Sequence, residues 1–246
     1  MPQRRILQIT GRDAEDFLQG LVTNDLDRLP DGLVYAALLT PQGKYLADFF
    51  LHRQDDAILL DVADLLGDAL EKRLGMYRLR ADVAIEQSPL GVQRGTGPAP
   101  AGALPDPRHP TLGWRLYTEA PESDDGSDWT ALRVAHCIPE TGVELTPDSY
   151  ILEAGFERLN GVDFRKGCYV GQEVTARMKH KTELRKGLAR VALSEPVAPG
   201  TEILSGARPI GVVHSTADGH GIAHLRFDRV TPEMRAGSAE VSLAGE

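Results

Sequence analysis

Gly161-Val162-Asp163-Phe164-Arg165-Lys166-Gly167-Cys168-Tyr169-Val170-Gly171-Gln172-Glu173 is the densest run of chemically informative residues in the chain. Cys168 stands between Gly167 and Gly171, residues that tolerate φ > 0 and let a backbone approach a ligand closely. Arg165 and Lys166 place positive charge near the sulfur. At roughly 6 Å and an effective dielectric of about 20, one such charge favours the thiolate by about 2–3 kcal/mol. A thiol with an ordinary pKa of ~8.5 would then be partly ionised at neutral pH. A helix over Gly171–Met178 would also put the loop at a helix N-terminus, whose dipole favours anions. The competing reading is a packed, inert thiol, since lone cysteines are mostly buried packing units. Cys137 is read that way, as the continuation of an apolar helical stripe.

The loop opens a basic island. From Arg165 to Arg190 eight cations face only Glu173 and Glu183, a local charge of +6 that leaves −15 on the remainder of a chain whose total is −9. The run is either a solvated face or a place that holds a polyanionic tail or an acidic partner. Tyr169 is the one aromatic nearby, too little stacking surface for nucleic acid, and the acidic total points the same way. His136, Cys137, Cys168 and His180 offer zinc-type ligands but no C-x-x-C or H-x-x-x-H spacing, so no metal is assigned.

Further out, 246 residues with 41% hydrophobic and 26% charged content describe a folded globular protein of one large or several small domains. No apolar run is long enough to span a bilayer, so no membrane partner is expected. Met1-Pro2-Gln3-Arg4-Arg5-Ile6 lacks the apolar stretch of a secretory signal. Two cysteines make no disulfide scaffold and suit a reducing, cytoplasmic setting. Thr10 to Asp13 offers caps for a helix carrying Ala14, Phe17, Leu18 and Leu21. Val34–Leu39, Leu46–Leu51 and Ala57–Leu60 read as an antiparallel meander. Asp64 caps a helix with Leu65, Leu66, Ala69, Leu70 and Leu74 as its stripe and Gly75 as its stop. Ser88–Pro110, rich in proline, is loop or linker. Ser127 or Asp128 caps a helix from Trp129 towards His136. Gly187–Leu193, Thr201–Leu204, Pro209–His214 and Gly221–Phe227 are short strands of a small barrel or sandwich.

Lys166-Gly167-Cys168-Tyr169-Val170-Gly171-Gln172-Glu173 resembles the K-G-C-Y-x-G-Q-E signature of the YgfZ family of folate-binding proteins. The resemblance extends over nearly the whole chain. It includes Gly11-Arg12-Asp13-Ala14, Phe17-Leu18-Gln19-Gly20, Thr23-Asn24-Asp25, and Leu38-Leu39-Thr40-Pro41-Gln42-Gly43-Lys44 with Asp48. That family is similar to the T-protein of the glycine cleavage system, an aminomethyltransferase that uses tetrahydrofolate, and its mitochondrial relatives serve late iron–sulfur cluster assembly.

The resemblance implies an α+β fold of three small modules around a central folate-binding hole, the last an antiparallel β-barrel, with modules 1–88, 89–183 and 184–246. It implies tetrahydrofolate or methylene-tetrahydrofolate as ligand and a transient iron–sulfur cluster. Cys168 would be the reactive residue and Lys166 would hold its thiolate. Asp48 falls where the T-protein has an Asp near the folate amine, where it would orient or deprotonate that amine; a plain strand-end Asp is the alternative. Tyr169, Gly171, Gln172, Glu173 and Arg177 complete the folate set. The T-protein also grips the pterin with a Glu in an R-x-E-A-G segment. Here Leu132-Arg133-Val134-Ala135-His136-Cys137 puts Ala135 in that place, a contact worth roughly 1.5–3 kcal/mol, with Glu140 or Glu153 as substitutes.

Three functions remain open at this stage. One is a folate-dependent accessory factor for iron–sulfur clusters, with cluster carrier or client proteins as partners. The second is an aminomethyl- or methyltransferase resting on Asp48. The third is a scaffold whose Lys179, Lys181 and Lys186 dock an acidic carrier.

Overall fold

The computed structural model describes residues 3–180 and 184–245; Lys181 and Glu183 of the basic island lie outside them. The chain forms two compact units, Met1–Ser127 with Glu157–Val174, and Asp128–Phe156 with Thr175–Glu246. The segment 89–183, expected as a module of its own, is divided between them.

In the first unit the described elements are β1 (Arg4–Thr10), α1 (Ala14–Gln19), β2 (Val34–Leu39), β3 (Tyr45–Gln54), β4 (Ala57–Ala63), α2 (Asp64–Arg78), β5 (Ala84–Gln87), β6 (Gly91–Gly95), β7 (Leu104–Pro105), β8 (Trp114–Thr118) and β9 (Ser123–Asp124). The larger sheet runs β2-β3-β4-β1-β5, with antiparallel pairing throughout. All six residues of β2 are buried, as a continuous apolar run requires of a strand covered on both faces. Leu7, Ile9, Phe49, Leu51, Leu60 and Val62 form its core with Leu18, Leu70 and Leu74 from the helices.

β1, a central strand, was hidden in the sequence because its arginines resemble a solvated terminus. Arg4 is instead turned inward, donating from Nε to Asp61 Oδ1 at 2.6 Å. Asp61 also accepts from Arg115 (3.0 Å) and from the Tyr117 hydroxyl (3.0 Å). Arg115 and Tyr117 come from β8, whose sheet runs β7-β8-β6-β9. This buried carboxylate therefore joins residues of the expected middle module to the first sheet, which is why 89–127 does not separate. Gly75 does not stop α2, which continues to Arg78. Asp13 flanks α1 without capping it, because its carboxylate accepts from Asp82 N at 2.9 Å.

The second unit contains α3 (Trp129–Ala135), most of α4 (Gln172–His180), and β10 (Lys186–Leu193), β11 (Glu202–Ser205), β12 (Arg208–Ala217), β13 (His220–Arg226), β14 (Met234–Ala236) and β15 (Ala239–Leu243). These strands close an antiparallel barrel in the order β10-β13-β12-β11-β14-β15. Val191, Ile203, Val213, Ala223, Leu225 and Val241 fill it. Asp128 caps α3, accepting from Ala131 N at 2.9 Å. Cys137 does not continue the helical stripe: α3 ends at Ala135, and Cys137 lies just beyond it at φ +50, a left-handed position that commonly follows a helix end.

The segment after α3 is pinned by Arg133. Its guanidinium donates to Glu144 Oε2 (3.1 Å), to the Ile138 carbonyl (3.1 Å) and to Ser215 Oγ on β12 (3.2 Å), and pairs with Glu140 at 3.0 Å. The Ser215 hydroxyl donates in turn to Glu144.

Candidate functional site: the Cys168 loop

The loop before α4 is held by residues far away in the sequence. The Thr23 hydroxyl donates to the Gly161 carbonyl at 2.7 Å and accepts from Ala37 N at 2.8 Å, while Asp163 N donates to the Thr23 carbonyl at 3.1 Å. The Asn24 side-chain amide donates to the carbonyls of Tyr35 and Asn160. Lys166 is buried and turned inward. Its ammonium donates to the carbonyls of Gln19 (2.8 Å), Val22 (2.6 Å) and Asn24 (2.9 Å). Those three bonds engage all three ammonium donors, so the ammonium is turned away from any bond to the Cys168 sulfur. Burial pushes the Lys166 ammonium down to about 8, opposed by Asp25 and Asp163. Its Nζ also lies 5.2 Å from the centre of the Tyr169 ring.

The far end of the loop closes on the Thr40–Gly43 turn. Gly171 adopts φ +84, and a Cβ there would lie 2.6 Å from the Thr40 carbonyl oxygen. Gly43 adopts φ +75, and its Cβ would lie 2.8 Å from Val174 Cβ. Both positions therefore require glycine. Gly167 does not: it lies outside the positive-φ set, and a Cβ would meet nothing within 4 Å.

Cys168 is exposed at the crest, between the tether at Lys166 and the close contact at Gly171. Tyr169 behind it is buried. Gln172 Nε2 reaches back to the Gly167 carbonyl at 3.4 Å, and Glu173 is exposed in the first turn of α4. Arg177, further along α4, is exposed and belongs to the second unit. Arg165 is exposed and sits 3.7 Å from Asp163. The geometry supplies a solvent-facing thiol on a backbone fixed at both flanks.

Asp48 lies elsewhere in the first unit, buried on β3. Its Oδ2 accepts from the Tyr35 hydroxyl (2.9 Å) and its Oδ1 from the Tyr45 hydroxyl (2.5 Å). Burial and the Asp48 charge raise Tyr35 well above the usual tyrosine range. Arg108 sits 5.5 Å from the Tyr35 ring and 4.8 Å from the Phe50 ring. Burial alone would raise the Asp106 carboxyl, but Arg108 and Arg115 pull it down to about 2. The sequence offered no local signal for this buried arginine cluster, because its members come from β1, β8 and the proline-rich segment.

The carboxylates that the resemblance offers in place of the T-protein's Glu are in ion pairs of their own. Ala135 is exposed at the end of α3. Glu140 pairs with Arg133. Glu153 lies 3.5 Å from Lys186 and 3.9 Å from His224, lining a cavity of about 330 Å³ with Tyr150 and His214. Among the described residues no three metal-ligating side chains converge.

Residues 185–245 match the family described as CAF17, C-terminal beta-barrel domain. The backbone superposes on the glycine cleavage system aminomethyltransferase T from Bartonella henselae with a TM-score of 0.79, covering 99% of this chain and 83% of that one at 14% identity. Barrel and superposition define the class: an α+β protein of the aminomethyltransferase-T fold. The chain is 31% identical to the mitochondrial iron–sulfur cluster assembly factor IBA57 of Homo sapiens, over 98% of this chain and 81% of that protein. It is 32% identical to the Mus musculus protein of the same name, over 98% and 75%, and 31% identical to the IBA57 homologue of Mycosarcoma maydis, over 99% and 67%. The chain belongs to the IBA57 family.

Proposed function

We propose that this protein is an iron–sulfur cluster assembly factor in which Cys168 is the working residue. The observation that carries the reading is the exposed thiol held between two fixed flanks, with the family's assembly-factor names in support. A thiolate is a soft ligand suited to iron in a cluster. On ligation Cys168 gives its proton to solvent, and its sulfur takes one iron coordination position while a carrier or client protein holds the rest. Fixed flanks present the sulfur without an ordering step at the moment of transfer. In cells lacking the protein, Cys168→Ala should fail to restore the activity of iron–sulfur enzymes while accumulating normally; full restoration by that variant overturns the reading.

A reduced folate is part of the proposal as a ligand, with Tyr169, Gly171, Gln172 and Glu173 as candidate contacts. No chemical step is routed through folate. Calorimetric titration with tetrahydrofolate should show binding that Glu173→Ala weakens by about tenfold. An absence of heat with both proteins removes folate from the reading. The transferase alternative would rest on Asp48 as a base, yet each of its oxygens already accepts a tyrosine hydroxyl, which favours the assembly reading.

A further inference from the structure

The outer wall of the barrel carries a half-covered cavity. Val191, Val213 and Leu225 point into the barrel, so strand alternation turns Leu188, Val212 and His224 outward. His224 pairs with Leu188 on one side and with Val212 on the other, and the three form one row. The segment containing Tyr150 and Glu153 lies over that row. Leu188 N donates to the Glu153 carbonyl at 2.7 Å, and a Cβ on Gly187 would lie 2.7 Å from the same oxygen. The cover therefore sits on β10 at a place only glycine permits. Between cover and wall lies the cavity of about 330 Å³, at the small end of the roughly 300–1,000 Å³ typical of ligand sites. Its lining residues all belong to the second unit.

The walls combine an apolar patch of Ala154, Leu188 and Val212 with a charged mouth. Glu153 is 12% exposed and Lys186, 3.5 Å away, is 46% exposed, so the carboxylate lies deeper than the ammonium. A clasp between segment and barrel explains that pair. It explains neither the open volume beside it nor His214. This ring is half-buried and makes no hydrogen bond among the described residues. Burial holds its imidazole below the ordinary value, opposed by Glu144 and aided by His224. At neutral pH it therefore offers one N–H and one acceptor nitrogen.

The charges select the ligand. Glu144 is committed to Arg133 and Ser215. Asp148 lies exposed at the rim, so with Lys186 and Glu153 cancelling, an anion is disfavoured. A simple cation drawn to Glu153 meets the Lys186 ammonium beside it, a like-charge contact. A ligand with both charges satisfies both groups. In an α-amino acid the ammonium and carboxylate are separated by one carbon, a spacing that suits the 3.5 Å pair.

We propose that this cavity binds a free α-amino acid with an apolar side chain, its ammonium on Glu153, its carboxylate on Lys186 and its side chain against Leu188 and Val212. None of these residues belongs to the Cys168 loop, so failure here leaves the assembly reading intact.

The test is an amide-shift titration by NMR of the isotope-labelled full chain with leucine, phenylalanine and glycine, beside phenylethylamine and phenylpropionate, which each lack one charge. Leucine or phenylalanine should bind with shifts centred on Leu188, Val212 and His224. Glycine should bind about tenfold more weakly, having no side chain to bury, and each singly charged analogue about tenfold more weakly than phenylalanine. Glu153→Gln and Lys186→Met should each weaken binding about tenfold. Val212→Trp fills the cavity without removing a charge and should abolish it, which keeps the test decisive if a charge variant loosens the segment. Three results overturn the proposal: no binding by leucine or phenylalanine, equal binding by either singly charged analogue, or affinity unchanged in Val212→Trp.

Discussion

Each unit has a buried cation that ties a connecting segment down, Arg133 in one and Lys166 in the other, and the two are satisfied in opposite ways. In the second unit Arg133 meets Glu144, Glu140 and Ser215, so its charge is neutralised where it stands. In the first, the Lys166 ammonium meets three main-chain carbonyls, and the acids that influence it, Asp25 and Asp163, act without a bond to it. Arg133 closes a polar network and ties a connecting segment to a barrel. Lys166 ties a loop through main-chain carbonyls, and that loop carries the exposed thiol. The contrast separates an anchor neutralised by acids from one held by carbonyl dipoles alone.

Removing each anchor tests the contrast. The largest effect is expected from Arg133→Met, which strands the fully buried Glu144 carboxylate; unfolding free energy should fall by about 3–5 kcal/mol. Adding Glu144→Gln should recover part of that loss, because the stranded charge is gone. Hydrogen exchange should localise the loosening to the second unit, and an even loss across both units breaks the comparison. Lys166→Met should cost about 2–3 kcal/mol, since three carbonyls lose a charged donor but no buried charge is exposed. Its signature is pH dependence. Below pH 8 the lysine is protonated folded and unfolded alike. From about pH 8 to the ordinary lysine pKa near 10.5 the folded protein releases a proton that the unfolded chain keeps, so the wild type should gain stability over Lys166→Met in that window. A flat difference between the two proteins across it contradicts the burial of this ammonium.

The same contrast explains what the sequence revealed. Val34–Leu39, Ala57–Leu60 and the C-terminal strands were legible because an apolar run bounded by turn residues reports its own burial. The α+β class and the barrel followed from them and from the family resemblance. Gly171 could be identified because a loop glycine at a close approach is a local feature. Lys166 was legible only as charge near a sulfur, since its acceptors lie at Gln19, Val22 and Asn24 and no spacing along the chain announces that contact. Arg4 and Arg115 converge on Asp61 in the same hidden way, so neither β1 nor the division of segment 89–183 has a local signal in the sequence.

A smaller effect separates the tether from the crest it holds. Thr23→Val removes a donor to the Gly161 carbonyl and an acceptor for Ala37 N, both buried, and should cost about 1–2 kcal/mol. Cys168→Ala should change stability by less than about 0.5 kcal/mol, because the side chain is exposed. If the crest exists to present a sulfur, the order of effects reverses in function. Thr23→Val, still folded at moderate temperature, should retain most of the rescue of iron–sulfur enzymes, while Cys168→Ala retains none. Measuring both in the same cells at matched protein levels decides it: a Cys168→Ala protein that rescues as well as Thr23→Val would show the loop to be a structural clasp whose cysteine is incidental.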